Sequence, residues 1–150
     1  MWTNPNDFAV GLDVDTSLAF IGYCSVTAEG GWLPGLRVSN AHIHAFMDIY
    51  QLEDEDESNG APSLQTPVIP VLDLHAESFW TGDFKSAPVN SIFDISNDQV
   101  SVSGGASVLF ELIAAFVFDS YNGVALFDFD SEYQISTPGM TITSTPIILI

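Results

Sequence analysis

The chain has 150 residues, the size of a single domain, and 47% of them are hydrophobic, which excludes an intrinsically disordered chain. Only 2 residues are Lys or Arg against 20 Asp or Glu, so the formal net charge at pH 7 is −18. A protein that follows nucleic-acid phosphates or docks on anionic lipid needs clustered cations. We therefore expect neither nucleic acid nor a membrane among the partners, whereas a cation-rich protein surface or divalent cations would complement the charge.

The start of the chain indicates where it is made. Residues 1–7 contain neither a basic segment nor an apolar one, so they do not resemble a signal peptide. No apolar run reaches the length of a membrane-spanning helix. The single cysteine, Cys24, lies in an apolar run and is expected to be a buried core residue. We expect synthesis in a cytoplasm and no intrachain disulfide.

Two segments in the first part of the chain predict strands. Residues 17–26 are rich in β-forming side chains, and two glycines follow soon after. Residues 41–52 alternate, which is the period of a strand with one buried face. One face holds Ile43, Ala45, Met47 and Ile49. The other face holds His42, His44, Phe46, Asp48 and Tyr50.

Residues 53–70 break this alternation. Five consecutive acids open the segment, and Pro62, Pro67 and Pro70 follow. We expect a long, exposed, acidic and proline-rich loop here. Residues 68–75 are expected to return as an edge strand, because Pro70 has no N–H group to donate to a central ladder.

The last third carries the strongest turn signals. Residues 107–119 are long enough for a helix, but we prefer a strand. Asn122 and Gly123 follow, and residues 124–130 alternate again, so the turn chemistry predicts an antiparallel hairpin between these two segments. A second hairpin is predicted between residues 133–137 and 140–145, because Pro138 and Gly139 suit a type II turn.

These signals predict about eight or nine strands and little helix in one domain over residues 1–150. Turn residues recur at short intervals between apolar runs, which is typical of an all-β fold. We expect an antiparallel β-sandwich or barrel with a jelly-roll-like order of strands.

The histidines are the most specific chemical signal. His42 and His44 share one face of a strand with Asp48, and His75 is the remaining histidine. Same-face residues lie about 6–7 Å apart along a strand, so two such imidazoles can bind one metal ion. Residues 42–48 also resemble part of the first cupin motif, H-x-H-x3-E, with Asp48 in place of glutamate. That reading implies a metal enzyme using His42, His44 and His75. We favour half-exposed polar residues on the outer face of a strand, and no cofactor apart from a possible divalent cation.

Two other groups of residues, one acidic and one aromatic, could each bind a ligand or have a purely structural role. Asp54, Asp56 and Glu57 carry the oxygen ligands that calcium prefers, although we favour a solvated loop. Phe79 and Trp80 resemble a carbohydrate platform, and we favour instead a corner that plugs one end of the sandwich.

We expect a non-enzymatic structural or assembly protein, a small subunit of a virus or phage particle such as a capsid decoration, head-completion or tail component. The basis is two apolar ends that need cover from other copies or from other structural proteins of the assembly. These ends are Met1 and Trp2, and Ile147, Ile148, Leu149 and Ile150. The alternatives are a ligand-binding sandwich for carbohydrate or calcium and, less favoured, the cupin-like metal enzyme.

Overall fold

The computed structural model describes residues 1–31, 35–52, 63–129, 134–137 and 139–147. This part of the chain contains ten strands and no helix, and its strand pairs are all antiparallel. They form two sheets that pack face to face as a β-sandwich and do not close into a barrel. The strands are β1 Trp2–Thr3, β2 Val10–Ala28, β3 Arg37–Leu52, β4 Leu64–Gln65, β5 Ile69–Ser78, β6 Asp83–Val102, β7 Ser107–Tyr121, β8 Gly123–Asp128, β9 Gln134–Ser136 and β10 Met140–Pro146.

Sheet A, which holds β1, β3, β4, β5 and β7, is built around β3. On one side β3 pairs with the full length of β7, and on the other it pairs with β5 and β4. β1 adds two residues to the far side of β7. Among the described strands β5 pairs only with β3, so the edge strand predicted from Pro70 is confirmed, and a register shift lies beside that proline.

Sheet B, which holds β2, β6, β8, β9 and β10, is built around β2, a strand of 19 residues. β6 pairs with one side of β2 over nearly its whole length. β8, β9 and β10 pair in turn with residues 23–28, 19–21 and 10–16 on the other side. The three short strands therefore serve as one interrupted third strand.

The core lies between the two sheets. The predicted alternation of β3 is confirmed, because its four inward-facing apolar residues between 43 and 49 are fully buried. β2 buries every second residue against them for the same reason. Phe20 lies at the centre of the core, with the rings of Phe93 and Phe129 edge-on to it at centroid distances of 5.9 and 6.3 Å.

The predicted hairpin at Asn122 and Gly123 is wrong, although residues 107–119 do form a strand. β7 belongs to sheet A and β8 to sheet B, so the chain crosses between the sheets here. Asn122 has a φ of 54° but Gly123 has no positive φ, so the turn is not type I′. Glycine is needed instead for close packing, since a Cβ at Gly123 would lie 2.6 Å from the backbone oxygen of Thr27. The local turn signal marked the reversal but not the sheet that receives the next strand.

The second predicted hairpin is wrong as well. β9 and β10 both pair with β2 and not with each other. Gly139 has a φ of 136°, but the chain does not reverse here, because β9 and β10 run in the same direction along β2. Pro138 lies outside the described residues. The two segments do not pair with each other because β2 is long enough for both to pair with it, one after the other.

The acidic part of the predicted loop, residues 53–62, lies outside the described residues. It includes Asp54, Asp56 and Glu57, so the calcium interpretation stays a prediction. The loop residues that follow contain β4, which pairs with β3 at Asp48 and Ile49.

Candidate functional site

The three histidines lie on the outer face of sheet A. His42 and His44 are half-buried on β3, and the residue between them is fully buried in the core. His75 is exposed on the neighbouring strand β5. In the register of these strands Asp73 lies opposite His42, and Asn40 lies opposite His75. The alternation of two adjacent strands therefore brings all three imidazoles to one polar surface.

The histidine pair has one close carboxylate. The ring centroids of His42 and His44 are 6.1 Å apart, and Nδ1 of His42 is 3.2 Å from Oδ1 of Asp73. Asp48 is four positions beyond His44, which is about 13 Å along a strand. Oδ1 of Asp48 accepts a hydrogen bond of 2.7 Å from Nε2 of Gln65 instead. The structure therefore does not bring the carboxylate of the cupin-like segment to the histidine pair.

His75 has partners of its own. Its Nδ1 lies 2.6 Å from Oδ1 of Asn40, and its Nε2 lies 3.5 Å from Oε2 of Glu77. Among the described residues, no group of three or more His, Cys, Asp or Glu side chains is placed to hold a metal ion. The three-histidine site is therefore not assembled in this part of the chain, and the surface offers imidazoles that bond individually to neighbouring side chains.

The N-terminal end predicted as an interface is held by its own chain. Trp2 packs against the core, whereas Met1 is exposed. Asn4 is buried, and its Nδ2 donates hydrogen bonds of 2.9 to 3.2 Å to the carbonyl oxygens of Phe8, Val102 and Ser103. This single amide ties the end of the chain to the turn between β6 and β7.

At the other end of the chain, Ile147 is partly exposed and its N–H donates to the carbonyl oxygen of Ala9 at 3.2 Å. Ile148, Leu149 and Ile150 lie outside the described residues. Burial of the two ends against other subunits stays a prediction.

A group of apolar side chains that the sequence did not predict lies exposed on the outward side of sheet B, and we call it the apolar outer face. Val124 and Phe84 both lie opposite Thr27, so the group reaches across three strands. Single exposed aliphatic residues scattered over a surface are normal, whereas several on one sheet face are less usual. Its members, with their exposed fractions, are Ile21 (38%), Phe84 (58%), Ile92 (70%), Val124 (54%) and Leu126 (51%).

A sequence signal for this surface did exist. In residues 124–129 both alternating faces are apolar. A strand in a two-sheet sandwich turns only one face to the core, so one apolar face of this segment is exposed. The inward face holds Phe127 and Phe129, which pack on the core, and the outward face holds Val124 and Leu126.

The far side of β7 is a second exposed feature, which we call the β7 edge and define as residues 109–121. β1 pairs only with Ser107 and Val108, which precede this edge. No described strand pairs with residues 109–121 on the side away from β3. Phe116 and Phe118 face the core side of the sheet yet are 39% and 47% exposed. The ring of Phe116 meets those of Phe127 and Phe129 at centroid distances of 5.3 and 5.4 Å. Within the described residues, the core is therefore not covered along this edge.

The expected aromatic plug is wrong. Phe79 and Trp80 lie in the connection between β5 and β6 with more than half of each side chain exposed. Their rings meet edge-on with a centroid distance of 5.7 Å. The backbone carbonyl of Trp80 accepts from the N–H of Gly31, so this connection is held by the backbone and not by burial of the rings.

Cys24 is buried as expected, and burial raises the pKa of its thiol, which favours an unreactive core residue. Near the start of β6, the Lys85 ammonium lies 3.2 Å from Oδ1 of Asp83. This contact is the main reason that the pKa of Asp83 is lowered, with a hydrogen bond from the N–H of Glu77 adding to it.

Compared with models of protein families, with curated proteins and with solved structures, the chain has no significant match in any of the three comparisons. The described residues include no helix with the length and hydropathy needed to cross a membrane.

Proposed function

We propose that this protein is a non-enzymatic structural subunit of a larger assembly, such as a viral or phage particle, in which it contacts copies of itself, other structural proteins, or both. The apolar outer face of sheet B carries the proposal. Some β-sandwiches, the jelly rolls, form viral capsid and lectin domains, so a β-sandwich is compatible with assembly without assigning it. The exposed side chains on one sheet face are the observation that favours contact with another protein.

The free energy available from this face is sufficient for a contact. Complete burial of one large aliphatic or aromatic side chain contributes roughly 1.5–3 kcal/mol. Four side chains of this face are more than half exposed: Phe84, Ile92, Val124 and Leu126. A neighbour that covers them gains a large part of this burial free energy for each of the four. The losses of rotational freedom and side-chain entropy on association offset part of this gain.

The charge of the protein restricts the chemistry of that neighbour. Acidic side chains border the apolar outer face, with Asp128 opposite Tyr23 and Asp94 opposite Ser17. A matching surface is therefore apolar at its centre and poor in carboxylates at its rim. Copies that carry −18 each repel one another over a Debye length of about 8 Å at physiological ionic strength, so salt should promote self-association.

Light scattering on the full chain tests the proposal. At micromolar concentration we expect oligomers whose mass increases between 0.15 and 1 M NaCl. Leu126→Lys should reduce the oligomer mass, because it places a charge in the apolar outer face. Thr143→Lys is the matched control, since Thr143 is exposed on the same side of sheet B at β10 and receives the same charge.

The pair of variants separates contact from charge. Equal effects of the two substitutions would show that net charge, and not the apolar outer face, controls association. A protein that stays monomeric at every concentration and at both salt concentrations would contradict the proposal.

Carbohydrate binding is a second candidate, favoured by the exposure of Phe79 and Trp80. Sugar rings stack on exposed aromatic faces, and these two rings lie together in one connection. Titration with neutral oligosaccharides, followed by tryptophan fluorescence, should give a saturable change that Trp80→Ala removes. A flat titration with every sugar tested would eliminate this candidate.

A further inference from the structure

We propose that His42 and His44 form a two-histidine site on the outer face of sheet A, which binds one divalent transition-metal ion of the zinc, nickel or copper kind. Water molecules complete the coordination of the ion. The site belongs to the other sheet from the apolar outer face, and the inference does not depend on the proposed role as an assembly subunit.

The two imidazoles are spaced for one ion. They are two positions apart on β3, and Ile43 between them is fully buried, so both project from the outer face. Their ring centroids are 6.1 Å apart, and the ring planes are inclined by 32°. Two imidazoles on one tetrahedral ion, with zinc–nitrogen bonds of about 2.0–2.1 Å, have centroids about 5 Å apart. A rotation of the two side chains that brings the rings about 1 Å closer is therefore sufficient for both to bind.

Asp73 of β5 orients the first imidazole. It lies opposite His42, and its Oδ1 is 3.2 Å from Nδ1 of that ring. The carboxylate favours the proton on Nδ1, so that Nε2 carries the lone pair that a metal ion needs. Metal-binding histidines commonly have such a carboxylate behind the ring. Asp73 is therefore a positioning residue and not a ligand, which agrees with the finding that no three ligating side chains of the described residues converge on one point.

The second imidazole has neighbours that do not compete for it. His44 lies opposite Ala115 of β7 and opposite Pro70 of β5. The register shift of β5 lies at this point, and Val71 packs on the core instead of lying beside the ring. Bulges often redirect side chains next to functional sites. Neither residue opposite His44 has a hydrogen-bonding side chain, so neither of them occupies a nitrogen that the ion would use.

His75 is not part of the site. Its Nδ1 lies 2.6 Å from Oδ1 of Asn40, and its Nε2 lies 3.5 Å from Oε2 of Glu77. Both ring nitrogens therefore have a partner within the fold, and an ion would have to displace one of them. His75 is the matched control, because it is a third imidazole on the same face of the same sheet.

The type of ligand selects the ion. Imidazole suits zinc, copper and nickel, whereas carboxylates suit magnesium, calcium and manganese. Asp73 and Asp119, on the strands that flank β3, and the net charge of −18 attract cations to this face without selecting among them. Structural zinc sites have four protein ligands and catalytic ones three. With two, this site exchanges its ion with the solvent, and removal of the metal should leave the fold intact.

Calorimetric titration of the untagged full chain with ZnCl₂ tests the proposal. An excess of MgCl₂ occupies weak oxygen sites on the acidic surface, and we expect one zinc ion to bind per chain. Imidazoles bind metal only after losing a proton, which occurs at a pH of about 6.5, whereas carboxylates are already ionised at pH 5.5. The affinity should therefore rise about tenfold or more between pH 5.5 and pH 7.5. A constant affinity over this range, or no saturable binding, overturns the proposal.

Three variants distinguish this pair from the other groups of the face. His44→Gln removes one ligand and should raise the Kd for zinc about tenfold or more, whereas His75→Gln should leave it unchanged. Asp73→Asn should raise the Kd about tenfold, because the ring of His42 loses the carboxylate that orients it. Equal effects of His44→Gln and His75→Gln would show binding to imidazoles in general and would overturn the site.

A second ion tests the site without any substitution. In the natural chain Mn²⁺ should bind about tenfold or more weakly than Zn²⁺, because it is the weakest of these ions with imidazole ligands. Similar affinities for the two ions would assign the binding to carboxylates and overturn the proposal. Neither outcome bears on the oligomers expected from the proposed function, so the two hypotheses fail or stand separately.

Discussion

β3 and β7 lie side by side in sheet A, yet the more apolar of the two is the less buried. β3 reads RVSNAHIHAFMDIYQL and includes two histidines, an arginine and an aspartate. β7 reads SVLFELIAAFVFDSY, with long apolar runs on both faces. Nevertheless the inward face of β3 is fully buried over residues 41–49, whereas the C-terminal half of β7 is largely exposed on both faces.

The difference follows from the number of neighbouring strands. β3 has β7 on one side and β5 on the other, with β2 packed against its inward face. β7 has β3 on one side and only two residues of β1 on the other. Position in the sheet therefore determines burial more than composition does. The apolar content of β7 is therefore more than its place in the described fold buries.

The largest expected effect compares a ring in the core with a ring at the edge. Phe20→Ala should lower the free energy of unfolding by about 3–5 kcal/mol, because Phe20 is fully buried between Phe93 and Phe129. Phe118→Ala removes the same atoms from a half-exposed position and should cost about 1 kcal/mol. Urea unfolding at a concentration where the protein is monomeric measures both.

The denaturant dependence provides the control for this pair. The m-value should be the same in the two variants, so that a change in midpoint reports stability and not a change in the denatured state. Similar losses for the two variants would mean that the β7 edge is packed as tightly as the centre of the sandwich, and the comparison would then fail.

The sequence predicted the positions of strands better than it predicted which strands pair with each other. Period-two alternation located the buried face of β3, and Pro70 placed β5 at an edge, because both are local properties of the chain. Both predicted hairpins were wrong, since a turn signal such as Asn122 and Gly123 contains no information on which sheet receives the next strand. That choice depends on β2, which is about one hundred residues away in the sequence.

The same limit applies to the candidate site. The sequence placed His42 and His44 on one face correctly, but it could not show that Asp73 of β5 would lie beside His42. The sequence signal for the exposed apolar residues was incomplete, because both faces of residues 124–129 are apolar and the sequence does not show which of them packs on the core.

An intermediate effect is expected from the anchor that attaches β1 to β7. Asn4→Ala should cost about 1–3 kcal/mol, because the carbonyl oxygens of Phe8, Val102 and Ser103 lose a common buried donor. Hydrogen exchange should then accelerate at Trp2 and Thr3, since their pairing with β7 is the only described strand contact of β1. Asn90→Ala, at an exposed position of β6, is the control for loss of an asparagine and should change little.

This variant also sharpens the comparison within sheet A. If release of β1 leaves the rest of β7 protected, the pairing with β3 alone is sufficient to hold an edge strand. If protection is lost over the whole of β7, β1 contributes to the stability of the edge in spite of its two-residue length.

The smallest effect is expected on the side of the sandwich opposite the β7 edge, where the N–H of Glu77 in β5 donates to Oδ2 of Asp83 in β6. The hydrogen bond from Lys85 is the main cause of the lowered pKa of Asp83. A carboxyl group whose pKa is lower in the folded than in the unfolded chain stabilises the fold above its ordinary pKa of 3.8, and this contribution is lost as the pH falls through the folded value.

Lys85→Gln should therefore lower the urea midpoint slightly at pH 6, and this difference should shrink as the pH falls below 3.8 and Asp83 becomes protonated. The difference at pH 6 should shrink in 0.5 M NaCl, because both partners are accessible to screening ions. In the background of Asp83→Asn the effect of Lys85→Gln should disappear, which assigns it to this pair. A difference that does not shrink as the pH falls, or that persists in that background, would show that Lys85 stabilises the β5–β6 side through packing of its aliphatic stem.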